Sequence, residues 1–138
     1  MIKLPLVIDN TDASSFRVDG ELKHRVCVFR GNSGSGKSLL FRKLLAIFDD
    51  LNYTSSLVRL SDVLNPSVGL LDVLNLNVDI LLIDNGDLVP LRALVSALDK
   101  CPAKLILITS RDFADRSDVG YYVVKYTGSE LEFKIGWC

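Results

Sequence analysis

The sequence offers little that would mark a metalloprotein, an exported protein or a polyelectrolyte binder. Its three cysteines, Cys27, Cys101 and Cys138, form an odd set without metal-ligand spacing, and the single histidine, His24, has no Cys or His partner near it in sequence. No zinc site is expected from these residues, and His24 is read as structural. Cys27 sits inside an apolar strand pattern, where a buried thiol is the ordinary outcome, so a reduced, cytoplasmic protein is expected. No apolar run approaches the roughly 18 residues of a membrane span. The start, "MIKLPLVIDNTD", turns polar after eight residues, too short for a signal-peptide core. An excess of one charge is missing as well: 16 Lys and Arg stand against 17 Asp and Glu, so no global field marks a nucleic-acid or membrane-surface binder. The one tryptophan, Trp137, is expected to pack against the core, and no stripe of aromatic and basic residues suggests single-stranded nucleic acid. No repeat, low-complexity tract or linker divides residues 1–138, and a chain of this length with 49% apolar residues suits one domain.

What is present is local. Between Leu22 and Phe48 there are six basic side chains (Lys23, Arg25, Arg30, Lys37, Arg42, Lys43) and no acid, so an electropositive region is expected around the middle of that stretch. The pattern along the chain alternates between strand and helix. "IKLPLVID" and "SSFRV" are short strand candidates about the polar turn "NTDA", and Asp19-Gly20 is expected to form a turn leading antiparallel into "HRVCVF". Leu40, Phe41, Leu44, Leu45, Ile47 and Phe48 recur at helical spacing, which predicts a helix of about three turns. "SSLVRL" is a further strand and "PSVGLLDVLNL" a short helix or irregular segment. "VDILLID" and "AKLILITS" are apolar enough for strands buried on both faces, and "DLVPLRALVSALDKC" is a helix whose Pro90 fits the first turn. "YYVVKYTGSELEFKIGW" reads as a closing hairpin about residues 127–130. The expected fold is therefore α/β: a parallel sheet with flanking helices, antiparallel strands added at the N-terminus and a C-terminal hairpin. Ligands on such sheets sit at the carboxyl ends of the strands. Three polar clusters, at 31–38, 84–87 and 109–111, each follow a buried strand and should gather on one edge.

The first cluster, "GNSGSGKS", fits G-x-x-x-x-G-K-[ST] without a mismatch, between a predicted strand and a predicted helix. The chemistry of such a loop is specific. The small residues Gly31, Asn32, Ser33, Gly34, Ser35 and Gly36 let the backbone wrap a phosphate, with consecutive N–H groups and the positive end of the next helix facing the anion. Lys37 would reach the β- and γ-phosphates, and the Ser38 hydroxyl would take one Mg²⁺ position.

On these residues the chain resembles a small P-loop NTPase, similar to the division that contains the ABC and AAA+ ATPases, over about residues 25–111. In that division one strand separates the P-loop strand from the Walker B strand along the chain, and a later strand ends in a polar sensor residue. "HRVCVF", "SSLVRL", "VDILLID" and "LILITS" supply that order, with the second pair expected as central parallel strands flanking the P-loop strand. The resemblance implies that Asp84, at the end of "ILLID", holds Mg²⁺. It also puts Asn85 where hydrolases of the division carry a glutamate. An amide can orient water but cannot take its proton, and general-base help is typically worth about 10²–10⁴ in rate. Asp87 is the nearest substitute, with a helix cap as its competing role. Thr109 and Ser110 fall at the sensor position, where a hydroxyl would read the γ-phosphate or the water, and each also reads as a strand end. Arg111 and Arg116 lie in "SRDFADRSD", either as phosphate-binding arginines or in a solvated turn.

Missing motifs sharpen the resemblance. There is no L-S-G-G-Q-like signature of an ABC transporter subunit, and neither D-x-x-G at the expected spacing nor N-K-x-D of a GTPase, so adenine is the expected base and Mg²⁺ and ATP the expected cofactors. The expected function is a weak ATPase or nucleotide-dependent switch, completed by another copy or a larger protein. A small-molecule kinase is the alternative, with Arg59 and Asp62 in "VRLSD" as acceptor contacts and "RDFADRSD" as a rudimentary lid. A nucleotide-binding scaffold without turnover is the third reading.

Overall fold

The computed structural model describes residues 2–11, 17–30, 37–63, 74–111, 115–127 and 132–137. Eight strands form one sheet: β1 (Leu6–Thr11), β2 (Arg17–Leu22), β3 (Val26–Arg30), β4 (Ser55–Arg59), β5 (Ile80–Asp84), β6 (Leu105–Thr109), β7 (Val119–Thr127) and β8 (Glu132–Trp137). Across the sheet they run β1-β2-β8-β7-β3-β6-β5-β4. The five from β7 to β4 are mutually parallel. β8 returns antiparallel to β7, as the hairpin pattern requires, and β1 pairs antiparallel with β2. Helices α1 (Lys37–Asp50), α2 (Leu60–Val63) and α3 (Leu91–Leu98) complete the described elements, with a 3-10 turn at Gly86–Leu88. The architecture is α/β, with a parallel sheet and flanking helices.

The alternation of side chains along each strand divides the core into two layers. Cys27 and Phe29 of β3, Leu82 of β5 and Leu107 of β6 face α1, where they meet Leu40, Phe41, Leu44 and Phe48. Val28, Ile83, Ile106 and Ile108 face the other way, toward Leu91, Leu94, Val95 and Leu98 of α3. Every residue of β5 and β6 is buried, which accounts for their unbroken apolar sequences.

The two layers also explain the strand order. Crossovers between parallel strands are right-handed, so helices on opposite faces carry the chain in opposite directions. The connection through α1 carries it from β3 out to β4 at the sheet edge, whereas α3, on the other face, brings it from β5 back to β6 beside β3. β6 therefore lies between β3 and β5. Of the two strands expected to flank β3, only β6 does; β5 is central but one place removed.

Several boundaries differ from the sequence reading. Asp19 and Gly20 lie inside β2, opposite Asp9 and Ile8, and do not form a turn. The chain reverses instead at residues 23–25, where the Tyr122 hydroxyl accepts from the Lys23 N–H at 2.9 Å. β2 accordingly adds parallel to β8 and makes no pairing with β3. β7 is longer than a hairpin arm alone, because its first half pairs with β3 before its second half pairs with β8. α1 has 14 residues, nearer four turns than three. Pro90 is the N-cap of α3, one place before its first turn. Most of "PSVGLLDVLNL", the turn at 128–131, Cys138 and the Trp137 side chain lie outside the described residues.

His24 is structural, as expected from its isolation. Its Nδ1 stands 3.0 Å from the Tyr122 hydroxyl, and its ring lies so close to Gly120 that a Cβ there would collide with it. Burial and the neighbouring Lys23 hold the imidazole below its ordinary value of 6.5, with Asp118 pulling weakly the other way. A depressed histidine binds its proton less readily folded than unfolded. The stability it protects is complete above about pH 6.5 and declines as pH falls toward the folded-state value. Urea unfolding from pH 8 to 5 should show this decline, and His24→Gln should be flatter than wild type below pH 6.5. Parallel pH profiles for the two proteins would remove His24 from the account.

Candidate functional site

The carboxyl ends of β3, β4, β5 and β6 share one edge of the sheet, because the four strands are parallel and in close register. From that edge β3 ends at Arg30 and α1 begins at Lys37. Residues 31–36, with Gly31, Asn32, Ser33, Gly34, Ser35 and Gly36, lie outside the described residues, as do the side chains of Lys37 and Ser38. The backbone nonetheless puts Lys37 and Ser38 in the first turn of α1, and the first turn of a helix, with its N–H groups and the positive end of the dipole, favours an anion.

Two strands away, Asp84 closes β5. Its side chain falls on the α1 face by alternation from Ile80 and Leu82, and the residue is only 8% exposed. The Thr109 hydroxyl, at the end of β6 on the same face, donates to Asp84 Oδ1 at 2.6 Å. The backbone N–H of Asn85 reaches both groups, 3.0 Å to Asp84 Oδ1 and 3.1 Å to Thr109 Oγ1. Three polar groups from two neighbouring strands thus form a closed triangle at the end of an apolar sheet. Charge-assisted bonds of this length are the strong kind.

Asn85 has left-handed backbone geometry, with φ 62° and ψ 41°. Asparagine is among the few residues with a Cβ that adopt this region readily. The turn it makes sends the chain into the 3-10 segment, and its side-chain oxygen accepts from Ser61 Oγ at 3.3 Å, linking the end of β5 to the start of α2. Its side chain caps no helix. Asp87 lies within the 3-10 turn and is exposed; the cap positions belong to Asn85 and Pro90, so the capping role considered for Asp87 is not met. Ser110 is buried and its N–H donates to Phe29 O at 3.2 Å, carrying the β3–β6 pairing one residue past the strand. Arg111 follows it at the same edge and is exposed.

Arg59 ends β4 directly across from Asp84 in register, and Asp62 lies exposed in α2. Arg116 is elsewhere. Its guanidinium is held by Asp99, just past the end of α3, at 3.0 Å and by Asp118, just before β7, at 2.6 Å. Both acids belong to the opposite edge of the sheet, where β7 starts level with Val26. Neither a phosphate-binding nor a lid role fits Arg116.

Ser61 and Gly86 escaped the sequence reading. Ser61 stands between Arg59 and Asp62, which were singled out, and its signal was the same: a polar residue just past an apolar strand. Gly86 has no motif to announce it. Its place is fixed by close approach, since a Cβ there would meet Ile108 Cγ2 at 2.5 Å and Thr109 O at 2.9 Å. Among the described residues no cluster of three or more His, Cys, Asp or Glu side chains could hold a metal by itself. Compared with models of known families, with curated proteins and with solved structures, the chain matches none.

Gly86→Ala should push the turn away from β6 and cost about 1–3 kcal/mol, the usual range for overpacking. Denaturant unfolding measures it; a loss below about 0.5 kcal/mol would show that the turn is not clamped against β6.

Proposed function

We propose that the protein binds Mg–ATP at this edge as a P-loop nucleotide-binding domain and acts as a slow ATPase or nucleotide-dependent switch whose site is completed by a partner or a second copy. The observation that carries the reading is the Asp84–Thr109–Asn85 triangle at the carboxyl edge of the sheet, the edge at which β3 ends just ahead of the G-x-x-x-x-G-K-S stretch of the sequence. Residues 31–36 and the first turn of α1 would cradle the phosphates, and Lys37 would neutralise them. The residues present fit Mg²⁺. It is a hard cation that takes oxygen ligands, commonly one or two carboxylates alongside substrate phosphates. Asp84 is a nearly buried carboxylate at the right edge, and Ser38 would add its hydroxyl. Bound there, the ion would neutralise charge on the β- and γ-phosphates.

The same arrangement supports slow turnover. Asn85 offers an amide where a water-activating carboxylate would serve, and its oxygen is already engaged by Ser61. Thr109 and Ser110 bring hydroxyls to the edge, and Arg111 a charge, but none of these is a base. A buried, free Cys27 and Cys101 agree with a reducing, cytoplasmic setting, and no described helix is long and apolar enough to cross a membrane. One observation favours small-molecule kinase activity as the second reading: Arg59 sits across from Asp84, where an acceptor could be held. Phosphate release measured with and without acceptors separates the two.

Calorimetry should find that wild type binds Mg–ATP in preference to GTP and that Lys37→Ala loses most of this affinity; equal binding by both proteins would show that the site lies elsewhere. Asn85→Glu should raise phosphate release about 10-fold if the carboxylate reaches the water, with ATP affinity nearly unchanged. It should also cost about 1 kcal/mol of stability, because glutamate is poorly suited to a positive φ. A melt beside steady-state kinetics reads both effects. Rapid turnover by dilute wild type, or a flat rate in a folded variant, would remove the missing carboxylate as the limit.

A further inference from the structure

We infer that Thr109 is a positioning residue for the metal: it acts through Asp84, by orienting the carboxylate that would face the cation, and does not itself read the γ-phosphate. The inference rests on the nucleotide reading above and assigns a separate task within that site.

The hydrogen-bond geometry carries it. A threonine hydroxyl has one proton to donate, and at 2.6 Å that proton is given to Asp84 Oδ1. The hydroxyl oxygen accepts from the Asn85 N–H at 3.1 Å. A group so engaged has no proton left for a phosphate oxygen or an attacking water. It is also 97% buried, with Thr109 only 3% exposed. The two donors on Oδ1, the hydroxyl and the Asn85 N–H at 3.0 Å, set the plane of the carboxylate. Groups that orient a ligating carboxylate typically contribute about 10- to 100-fold in metal affinity.

The triangle is held from outside as well. Gly86 lies so close to β6 that a Cβ there would meet the Thr109 carbonyl, and Ser110 N–H donates to Phe29 O on β3, which fixes the backbone from which the Thr109 side chain projects. Rotating the side chain would leave the Asn85 N–H without this acceptor.

The test compares Thr109→Val, which keeps shape and removes the hydroxyl, with Thr109→Ser, which keeps the hydroxyl. Mn²⁺ serves as probe, its binding followed by electron paramagnetic resonance in the presence of ATP. ATP binding in EDTA is followed separately by calorimetry. Thr109→Val should weaken Mn²⁺ by about 10-fold or more and leave metal-free ATP affinity unchanged, and Thr109→Ser should restore Mn²⁺ binding to near the wild-type level. In an Asp84→Asn background Thr109→Val should have little further effect on Mn²⁺, because the path runs through that carboxylate. Should Thr109→Val not fold, Thr109→Cys keeps the volume with a much weaker donor and is expected to show the same loss.

Unmoved Mn²⁺ affinity in a folded variant overturns the inference. So does an equal loss of metal-free ATP binding, which would mean that the hydroxyl touches phosphate, or a full additional loss in the Asp84→Asn background. Failure of the wild type to bind ATP overturns the nucleotide reading itself and this inference with it; ATP binding that Lys37→Ala abolishes, with Mn²⁺ indifferent to Thr109, overturns the inference alone.

Discussion

A strand buried on both faces can carry polar groups only at its ends, and much of this molecule follows from that constraint. β5 and β6 have no solvated face, so Asp84 and Thr109 stand where each strand runs out, and both fall on the α1 side because the sheet alternates with period two. Burying a carboxylate there is costly unless it is hydrogen-bonded. The Thr109 hydroxyl and Asn85 N–H supply those bonds. The site is thus a boundary phenomenon: the most apolar strands of the sheet create the low-dielectric surroundings, and their last residues gather the polar chemistry.

Much of this was legible in the sequence because burial on two faces writes itself as an unbroken apolar run. "ILLID" and "LILIT" could be placed as central strands, and the polar residues after them as one edge, without coordinates. Spatial order was harder, since no residue in β6 announces that it lies between β3 and β5; that is decided by which face α3 covers, a property of the crossover and not of any side chain. The Asp19-Gly20 misreading has a similar origin. The pair has strong local turn propensity, but in β2 pairing with β1 and β8 overrides it, and the reversal occurs where Tyr122, about a hundred positions later, supplies a hydroxyl.

The candidate site was legible in kind more than in geometry. The residue types at Asp84, Asn85 and Thr109 could be singled out, yet the triangle they form could not, because it depends on strand adjacency and on a backbone N–H that no sequence pattern displays. Asn85 shows the point. As a residue type it reads as the absence of a base; as a conformation it is a fitting occupant of a left-handed turn, with its amide joined to Ser61. The two descriptions are compatible: a position that demands positive φ narrows which side chains can be offered to chemistry at the end of β5.

Arg25 shows a different consequence of the same topology. Its guanidinium donates to the carbonyls of Leu98, Cys101 and Ala103, closing the end of α3 from residues at least 73 positions away in sequence. Such bonds close a long loop of chain, and because the entropy of closure grows only slowly with loop length, the span itself adds little to their cost. In mechanical terms Arg25 is a rivet, fastening the end of α3 and the approach to β6 to the chain just ahead of β3.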